Sequence, residues 1–359
     1  MPGVYVSYPF CNQKCTFCNF ASGVSDADTK ARYAARLIEE IQAHAWDWRP
    51  ETVYLGGGTP SLMPRELLTG IMAAIPSEAL SEVTLECAPG TLSPDLVEVW
   101  RSCGINRVSL GVQSFVSAEL KQTGRRHTAT TVLADVEVLR CGGIANINVD
   151  LIAGLPGQTR ESWEESLDWI ERLSPPHASV YIFEVDEDSR LGKEVMQGGV
   201  RYGAGILPDE DSTAEFYERA VVRLRSLGIE RYEISNFAIP GYESKHNLKY
   251  WSLAPYIGFG LDAHSFDGVH RWSTPDSMDA YLRGAKEPPV LAQRSEEHFF
   301  IGLRLSSGIE PTHEEWSRFR EPIAHWLHSG MLEASGERLK LSERGVLVSN
   351  EILQDFVNA

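Results

Sequence analysis

The 359-residue sequence is short of three things. Basic residues are scarce: 33 Lys and Arg stand against 50 Asp and Glu, for a formal charge of −17. Without surplus cations to neutralise phosphates, bulk binding to nucleic acid or an anionic lipid face is not expected. Long apolar runs are also missing. No stretch of about 18 or more apolar residues occurs, so no integral membrane segment is expected. The opening MPGVYVSYPFC lacks a basic stretch followed by an apolar one, so a secretory signal is not visible and a cytoplasmic location is expected. Cysteine is sparse, with six residues: Cys11, Cys15, Cys18, Cys87, Cys103 and Cys141. A chain of this length that is 43% hydrophobic can bury a core without disulfide staples. Three of the cysteines crowd into one short segment and three are scattered singly, which does not suit a disulfide framework.

What is present is a repeated alternation. Runs rich in β-branched and aromatic residues, expected as strands, cover 4–7, 52–55, 83–86, 107–110, 147–151 and 179–183. Between them lie helical patterns over 29–46, 65–75, 94–103, 129–140 and 161–173, and another follows at 213–226. Alternating β and α elements imply parallel strands with crossover helices. Six units do not complete an eight-stranded barrel, which leaves an open, partial barrel or a doubly wound sheet. In both, ligands gather at the C-terminal ends of the strands. Beyond about residue 230 the alternation stops. Short apolar runs at 323–327, 339–341 and 346–356 suggest a smaller domain of helices with a β-hairpin.

The unusual residues collect at those strand ends. Cys11, Cys15 and Cys18 follow the first strand, and Gly56-Gly57-Gly58-Thr59-Pro60 follows the second. Glu86 ends the third, Gly111-Val112-Gln113 follows the fourth, and Asp150 closes the fifth. One composite site is the economical reading. The spacing Cys-x3-Cys-x2-Cys on one loop suits three irons of a 4Fe–4S cluster, leaving the fourth iron open. A zinc site lacking its fourth ligand, or three structural thiols, are the alternatives. Adjacent glycines admit close backbone approach to a polar ligand. Glu86 is placed to accept from an ammonium, Gln113 and Arg125 to hold a carboxylate or ribose, and Asp150 to accept from ribose hydroxyls. Cys87, Cys103 and Cys141 read as small buried hydrophobes.

The segment CNQKCTFC resembles the motif of the radical S-adenosylmethionine (SAM) enzymes. The segments YLGGGTPSLM, RVSLGVQSF, NVDLIAGLPGQT, YEISNFAIPGYESKHNLKYW and IGFGLDAHS are similar to those of the oxygen-independent coproporphyrinogen III dehydrogenases and their HemW-type relatives, the haem chaperones. The resemblance runs from Val4 to about Gly345. It implies an α/β fold, a partial (β/α)6 radical-SAM barrel over residues 1–235, with a smaller C-terminal α+β domain over 236–359. It implies a 4Fe–4S cluster on Cys11, Cys15 and Cys18. It also implies a SAM site at Tyr5, Phe17, Gly57, Gly58, Thr59, Glu86, Gln113, Arg125 and Asp150.

Three features separate the two branches. The dehydrogenases carry a further cysteine two residues after the third, where this chain has Phe20. They have an extension before the first strand, which here starts at about Val4. The chaperones carry His-Asn-x-x-Tyr after the barrel, matched by His246-Asn247-Leu248-Lys249-Tyr250. A neutral imidazole is a good axial ligand for haem iron, so His246 is expected to bind haem, with His264 as the second choice. The resemblance thus implies haem as cargo, a haem-acceptor protein expected in the respiratory chain, and a low-potential electron donor. Decarboxylation of coproporphyrinogen III, a tRNA-modifying radical enzyme and a scaffold with a structural cluster stay as alternatives; the acidic charge disfavours the tRNA modifier. Two positions depart from the family pattern. Ser7 stands where a His is usual before the first cysteine, and Ala88 stands where an Asn is usual after Glu86.

Overall fold

The computed structural model describes residues 2–357. The six expected strands form, each one to three residues longer than its apolar run. They are β1 (Gly3–Tyr8), β2 (Thr52–Gly57), β3 (Glu82–Cys87), β4 (Arg107–Gln113), β5 (Asn146–Ala153) and β6 (His177–Ile182). They lie side by side in chain order and parallel, with Val4 opposite Val53, Val53 opposite Val83, and Leu85 opposite Val108.

The crossovers are helical. They are α1 (Ala27–Gln42), α2 (Arg65–Ala74), α3 (Pro94–Ser102), then α4 (Ser117–Gln122) with α5 (Ala129–Cys141), and α6 (Arg160–Leu173). Polar caps start four of them: Asp26 accepts from the Thr29 amide, Ser93 from Leu96, and Thr128 and Thr159 form capping boxes. Helix α1 ends at Gln42, short of the expected Trp46. The next residues instead fold so that His44, Trp46 and Trp48 pack together against Phe259. The short α4 lies in a stretch with no expected helix.

After β6 come α7 (Arg190–Met196), α8 (Glu210–Ser226), β7 (Glu230–Arg231), β8 (Asn236–Ala238), α9 (Lys245–Trp251) and β9 (Tyr256–Phe259). The six parallel strands expected from periodicity all form, and the structure adds one more. β9 returns to pair in parallel with β1, placing Val4 opposite Ile257, so the parallel array has seven. β10 (His264–Phe266), β11 (His270–Ser273) and β12 (Val290–Leu291) extend the sheet beyond β9, while β8 and β7 extend it antiparallel beyond β6. Among the described residues the two ends of this 12-stranded sheet do not pair, so the barrel stays open. The C-terminal segment brings helices around a buried Phe299, Phe319 and Phe356, and the expected hairpin, β13 (Leu332–Ser335) and β14 (Arg338–Leu341). Among the described residues no helix is long and apolar enough to cross a membrane.

The two faces of the parallel array differ in chemistry. Val53, Leu55, Val83, Leu85, Val108, Leu110, Val149 and Leu151 form one buried apolar face. The alternate residues Thr52, Thr84, Arg107, Ser109, Asn148, His177 and Ser179 are just as buried, and polar. Period-2 alternation therefore builds a hydrophobic layer under the helices and a polar lumen inside the partial barrel. Hydrogen bonds knit that lumen: Asn148 Nδ2 donates to Ser109 and Ser179, and its Oδ1 meets His177 Nδ1 at 2.6 Å. Pairing of this kind offsets the cost of burying polar groups, although Thr84 Oγ1 and Arg107 Nε have no partner among the described residues.

Candidate functional site

The lumen opens at the C-terminal strand ends into a cavity of about 470 Å³. Its near wall is the loop after β1, carrying Cys11, Cys15, Phe17 and Cys18. Backbone bonds fix the loop ends: Cys11 N donates to Gly23 O, and Gly23 N to Pro9 O, both at 2.9 Å. Its middle is tied across the mouth. Thr16 N reaches Thr123 O at 3.2 Å, Leu191 N reaches Thr16 O at 2.8 Å, and Arg190 donates to Lys14 O. The three thiols thus face one space from a held loop. Among the described residues no three His, Cys, Asp or Glu side chains already converge in metal-binding geometry. Burial raises the Cys15 thiol, and the nearby Arg125 and Arg190 cations oppose that rise. Three soft sulfur donors beside fixed cations suit an iron–sulfur cluster.

The glycine loop packs directly onto the base of the cysteine loop. A Cβ on Gly58 would lie 2.7 Å from the Pro9 carbonyl carbon, and Gly57 has φ +109°. Side chains are excluded at both positions, so backbone amides and carbonyls face the cavity beside Thr59. The Gly57 amide donates to Glu86 Oε2 at 3.1 Å, and Tyr54 OH to Oε1 at 3.0 Å. Burial, with Asp150 as the next contributor, pushes the Glu86 carboxyl up to about 7; Tyr54, Gly57 and Arg107 oppose this. Asp150 accepts from Ser109 at 3.1 Å and Asn148 at 2.7 Å, and burial raises it as well.

β4 ends with a register break, where Gln113 takes a left-handed φ of +72°. That turn brings Gln113 beside Arg125 over Gly111, whose missing side chain leaves the room; an added Cβ would sit 3.2 Å from Gln113 Nε2 and 3.6 Å from an Arg125 nitrogen. Arg125 Nε is buried without a hydrogen-bond partner. An orphaned guanidinium donor at a cavity wall suits a ligand carboxylate. The cavity therefore offers thiols with an orphaned guanidinium near them, two carboxylates for cationic or hydroxyl groups, and a backbone cradle. These are complementary to the amino, carboxylate and ribose groups of SAM.

The cavity brings together Cys11, Cys15, Cys18, Phe17, Gly57, Gly58, Thr59, Glu86, Gln113, Arg125 and Asp150. It does not take in two of the expected residues. Tyr5 lines a neighbouring chamber instead. His246 is fully buried on α9, away from the rim. Its Nδ1 meets Thr52 Oγ1 and its Nε2 meets Tyr250 OH, each at 2.8 Å, and burial drives its pKa down to about 3. Both ring nitrogens are thus engaged within the fold, and the ring does not line the cavity where it was expected to take part. Cys87 is buried as expected, and burial pushes its thiol up to about 12. Cys141 is exposed, contrary to expectation, because it ends α5 on its solvent side. Sequence reading missed Tyr54, Ser109 and Asn148, which hold the two carboxylates. Stepping back by two residues along each strand, from Gly56 to Tyr54 or from Asp150 to Asn148, would have found them.

A family model described as the Radical SAM superfamily matches residues 5–170. The heme chaperone HemW of Lactococcus lactis is 34% identical, over 98% of this chain and 96% of its own length. That of Bacillus subtilis is 32% identical over 99% of both. A mitochondrial radical S-adenosyl methionine domain-containing protein 1 of Bos taurus is 31% identical, over 96% of this chain and 81% of its own. In overall fold the chain matches the solved structure of coproporphyrinogen III oxidase (HemN) from Escherichia coli with a TM-score of 0.82. That match covers 99% of this chain and 90% of the other at 20% identity.

Proposed function

We infer the function of this chain from its kinship: it belongs to the radical SAM superfamily, and within it to the HemW-type haem chaperones. The protein binds haem and delivers it to a haem-requiring acceptor protein. The observation that carries this reading is the end-to-end similarity to proteins named as heme chaperones. Two sequence features support it over the dehydrogenase alternative: Phe20 where the dehydrogenases have a further cysteine, and the His246–Tyr250 motif.

Cys11, Cys15 and Cys18 are assigned to a 4Fe–4S cluster, and Phe17, Gly57, Gly58, Thr59, Glu86, Gln113, Arg125 and Asp150 to SAM. When bound, the cluster supplies an open iron for the amino and carboxylate groups of SAM and an electron from a low-potential donor. Within this site the chain's own residues orient and neutralise. Ionised Glu86, steadied by Tyr54 and the Gly57 amide, accepts from the N–H groups of the amino group. Arg125 gives its unused Nε–H to the carboxylate. Asp150, steadied by Ser109 and Asn148, accepts from the ribose. Lys14 and Arg190 hold the cysteine loop in place. In the proposed division of labour, cluster and SAM belong to residues 1–235, and residues 236–359 form the second unit. A cytoplasmic site of action and an acceptor in the respiratory chain complete the reading.

The test is anaerobic cluster reconstitution of the full chain, followed by haem titration. A second arm incubates it with coproporphyrinogen III, SAM and a reductant. Saturable haem binding without protoporphyrinogen IX is the expected result. Stoichiometric formation of protoporphyrinogen IX would replace this reading with the dehydrogenase one.

A further inference from the structure

With His246 sealed, a different imidazole has to meet the iron if a histidine does so. The sequence has ten histidines. His177 is buried and bonded at both nitrogens, like His246. His127 spends Nε2 on the Val112 carbonyl, His270 faces Asp267, and His298 faces Glu315. His44 is packed edge-on against Trp46 and Phe259. His313, His325 and His328 lie on the C-terminal helices and line neither of the two cavities at the barrel mouth.

His264 stands apart. Its side chain is 69% exposed, its ring makes no hydrogen bond among the described residues, and the Asp262 carboxylate is 3.9 Å away. It sits on the lip of the second chamber, about 420 Å³ in volume, within the range of about 300–1,000 Å³ usual for cofactor sites. The chamber walls are chiefly aromatic and apolar: Tyr5, Tyr250, Tyr256, Leu261 and Phe20. Phe20 is 63% exposed, although large apolar side chains are normally covered. Phe20, Ser22 and Gly57 line this chamber and the cluster cavity alike, so the two adjoin.

The buried motif acquires a role here. Thr52 fixes the His246 ring, His246 holds the Tyr250 hydroxyl, and Tyr250 presents its ring edge-on to Tyr256 at 4.6 Å. His246 thus acts through Tyr250 on the chamber wall.

We propose that this second chamber is the cargo site, where a flat iron porphyrin lies against the tyrosine wall with His264 as the axial ligand of its iron. The proposal rests on the haem-chaperone reading above and adds the location and the ligand. A neutral imidazole nitrogen gives its lone pair to ferric iron and displaces a bound water; no electron is transferred. Asp262 faces the ligand ring and offsets the positive charge of a ferric centre. His246 is a positioning residue in this arrangement, and the motif matters through the wall it sets.

The experiment titrates haem into the reconstituted full chain and its variants, reading the Soret difference spectrum and the electron paramagnetic resonance of the ferric haem. His264→Ala, at an exposed position, is expected to weaken binding on the order of tenfold or more and to abolish the histidine-ligated signal. His264→Met is expected to replace that signal with a thioether-ligated one. Tyr250→Phe, which keeps the ring but frees it from His246, is expected to weaken haem binding by a few-fold while the histidine-ligated signal persists. Unaltered affinity and spectra in His264→Ala would overturn the proposal, as would loss of the signal in Tyr250→Phe with retention in His264→Ala. Wild-type protein that binds no haem would instead refute the haem-chaperone reading itself.

Discussion

Replacing Glu86 with Gln separates stability from cofactor binding, and the structure sets the size of each effect. The Glu86 carboxyl is buried beside Asp150 and titrates at about 7 instead of 4.5. A carboxyl whose folded value is raised holds its proton more tightly when folded. Stability is therefore full below the unfolded value and declines as pH rises from about 4.5 through about 7. By linkage, the ionised group costs the cofactor-free protein about 3 kcal/mol above pH 7, of which about 2–3 kcal/mol develops between pH 5 and pH 8. Gln carries no such charge. It also loses an acceptor for the Gly57 amide, a penalty of about 1–2 kcal/mol that does not change with pH. The expected signature is a stability gap between variant and wild type that moves by about 2–3 kcal/mol in the variant's favour from pH 5 to pH 8. Chemical denaturation of the cofactor-free protein across that range measures it. SAM binding should move the other way. Loss of a charged acceptor costs about 1.5–3 kcal/mol, or roughly 10- to 150-fold in affinity at pH 8. The wild-type affinity should fall about tenfold from pH 8 to pH 6 as Glu86 takes up its proton. A stability gap that stays constant from pH 5 to pH 8 would refute the electrostatic account of this carboxylate.

Three further perturbations probe the rest of the site. Substituting any one of Cys11, Cys15 or Cys18 by Ala should abolish the iron–sulfur absorption and SAM binding with it; an intact spectrum in all three variants would exclude them as ligands. Gly58→Ala forces a Cβ to 2.7 Å from the Pro9 backbone. It should lower stability by about 1–3 kcal/mol and reduce cluster content, read from denaturation midpoints and bound iron. Arg107→Met removes a buried cation that favours ionised Glu86 and Asp150. The pH midpoint for SAM binding should move upward, above about 7, whereas loss of affinity by the same factor at every pH would assign Arg107 a purely structural part.

Much of the site was legible because its parts are local. The spacing of Cys11, Cys15 and Cys18 lies within one loop, and Gly57 and Gly58 advertise a close approach that only glycine permits. The positions of Glu86, Gln113 and Asp150 at strand ends follow from the βα alternation. The residues that tune them were harder to see. Tyr54, Ser109 and Asn148 are ordinary strand residues in one dimension, and their meaning comes from facing the lumen one layer below the rim. The Gln113 turn was hidden as well, because a left-handed φ at a glutamine is imposed by the register break of β4.

The sequence by itself determined the parallel core, the cysteine loop and the strand ends on which ligand chemistry collects. Periodicity and capping are properties of neighbouring residues, and close neighbours in sequence decide them. Tertiary structure decided what depends on distant partners. β9 pairs with β1 across some 250 residues of chain, a contact that no local pattern encodes. The setting of His246 depends on distance in the same way: Thr52, nearly 200 residues away, meets one ring nitrogen, and the Tyr250 hydroxyl meets the other. An imidazole in a motif is a ligand or a strut according to which of its lone pairs remains free, and only the packed fold fixes that.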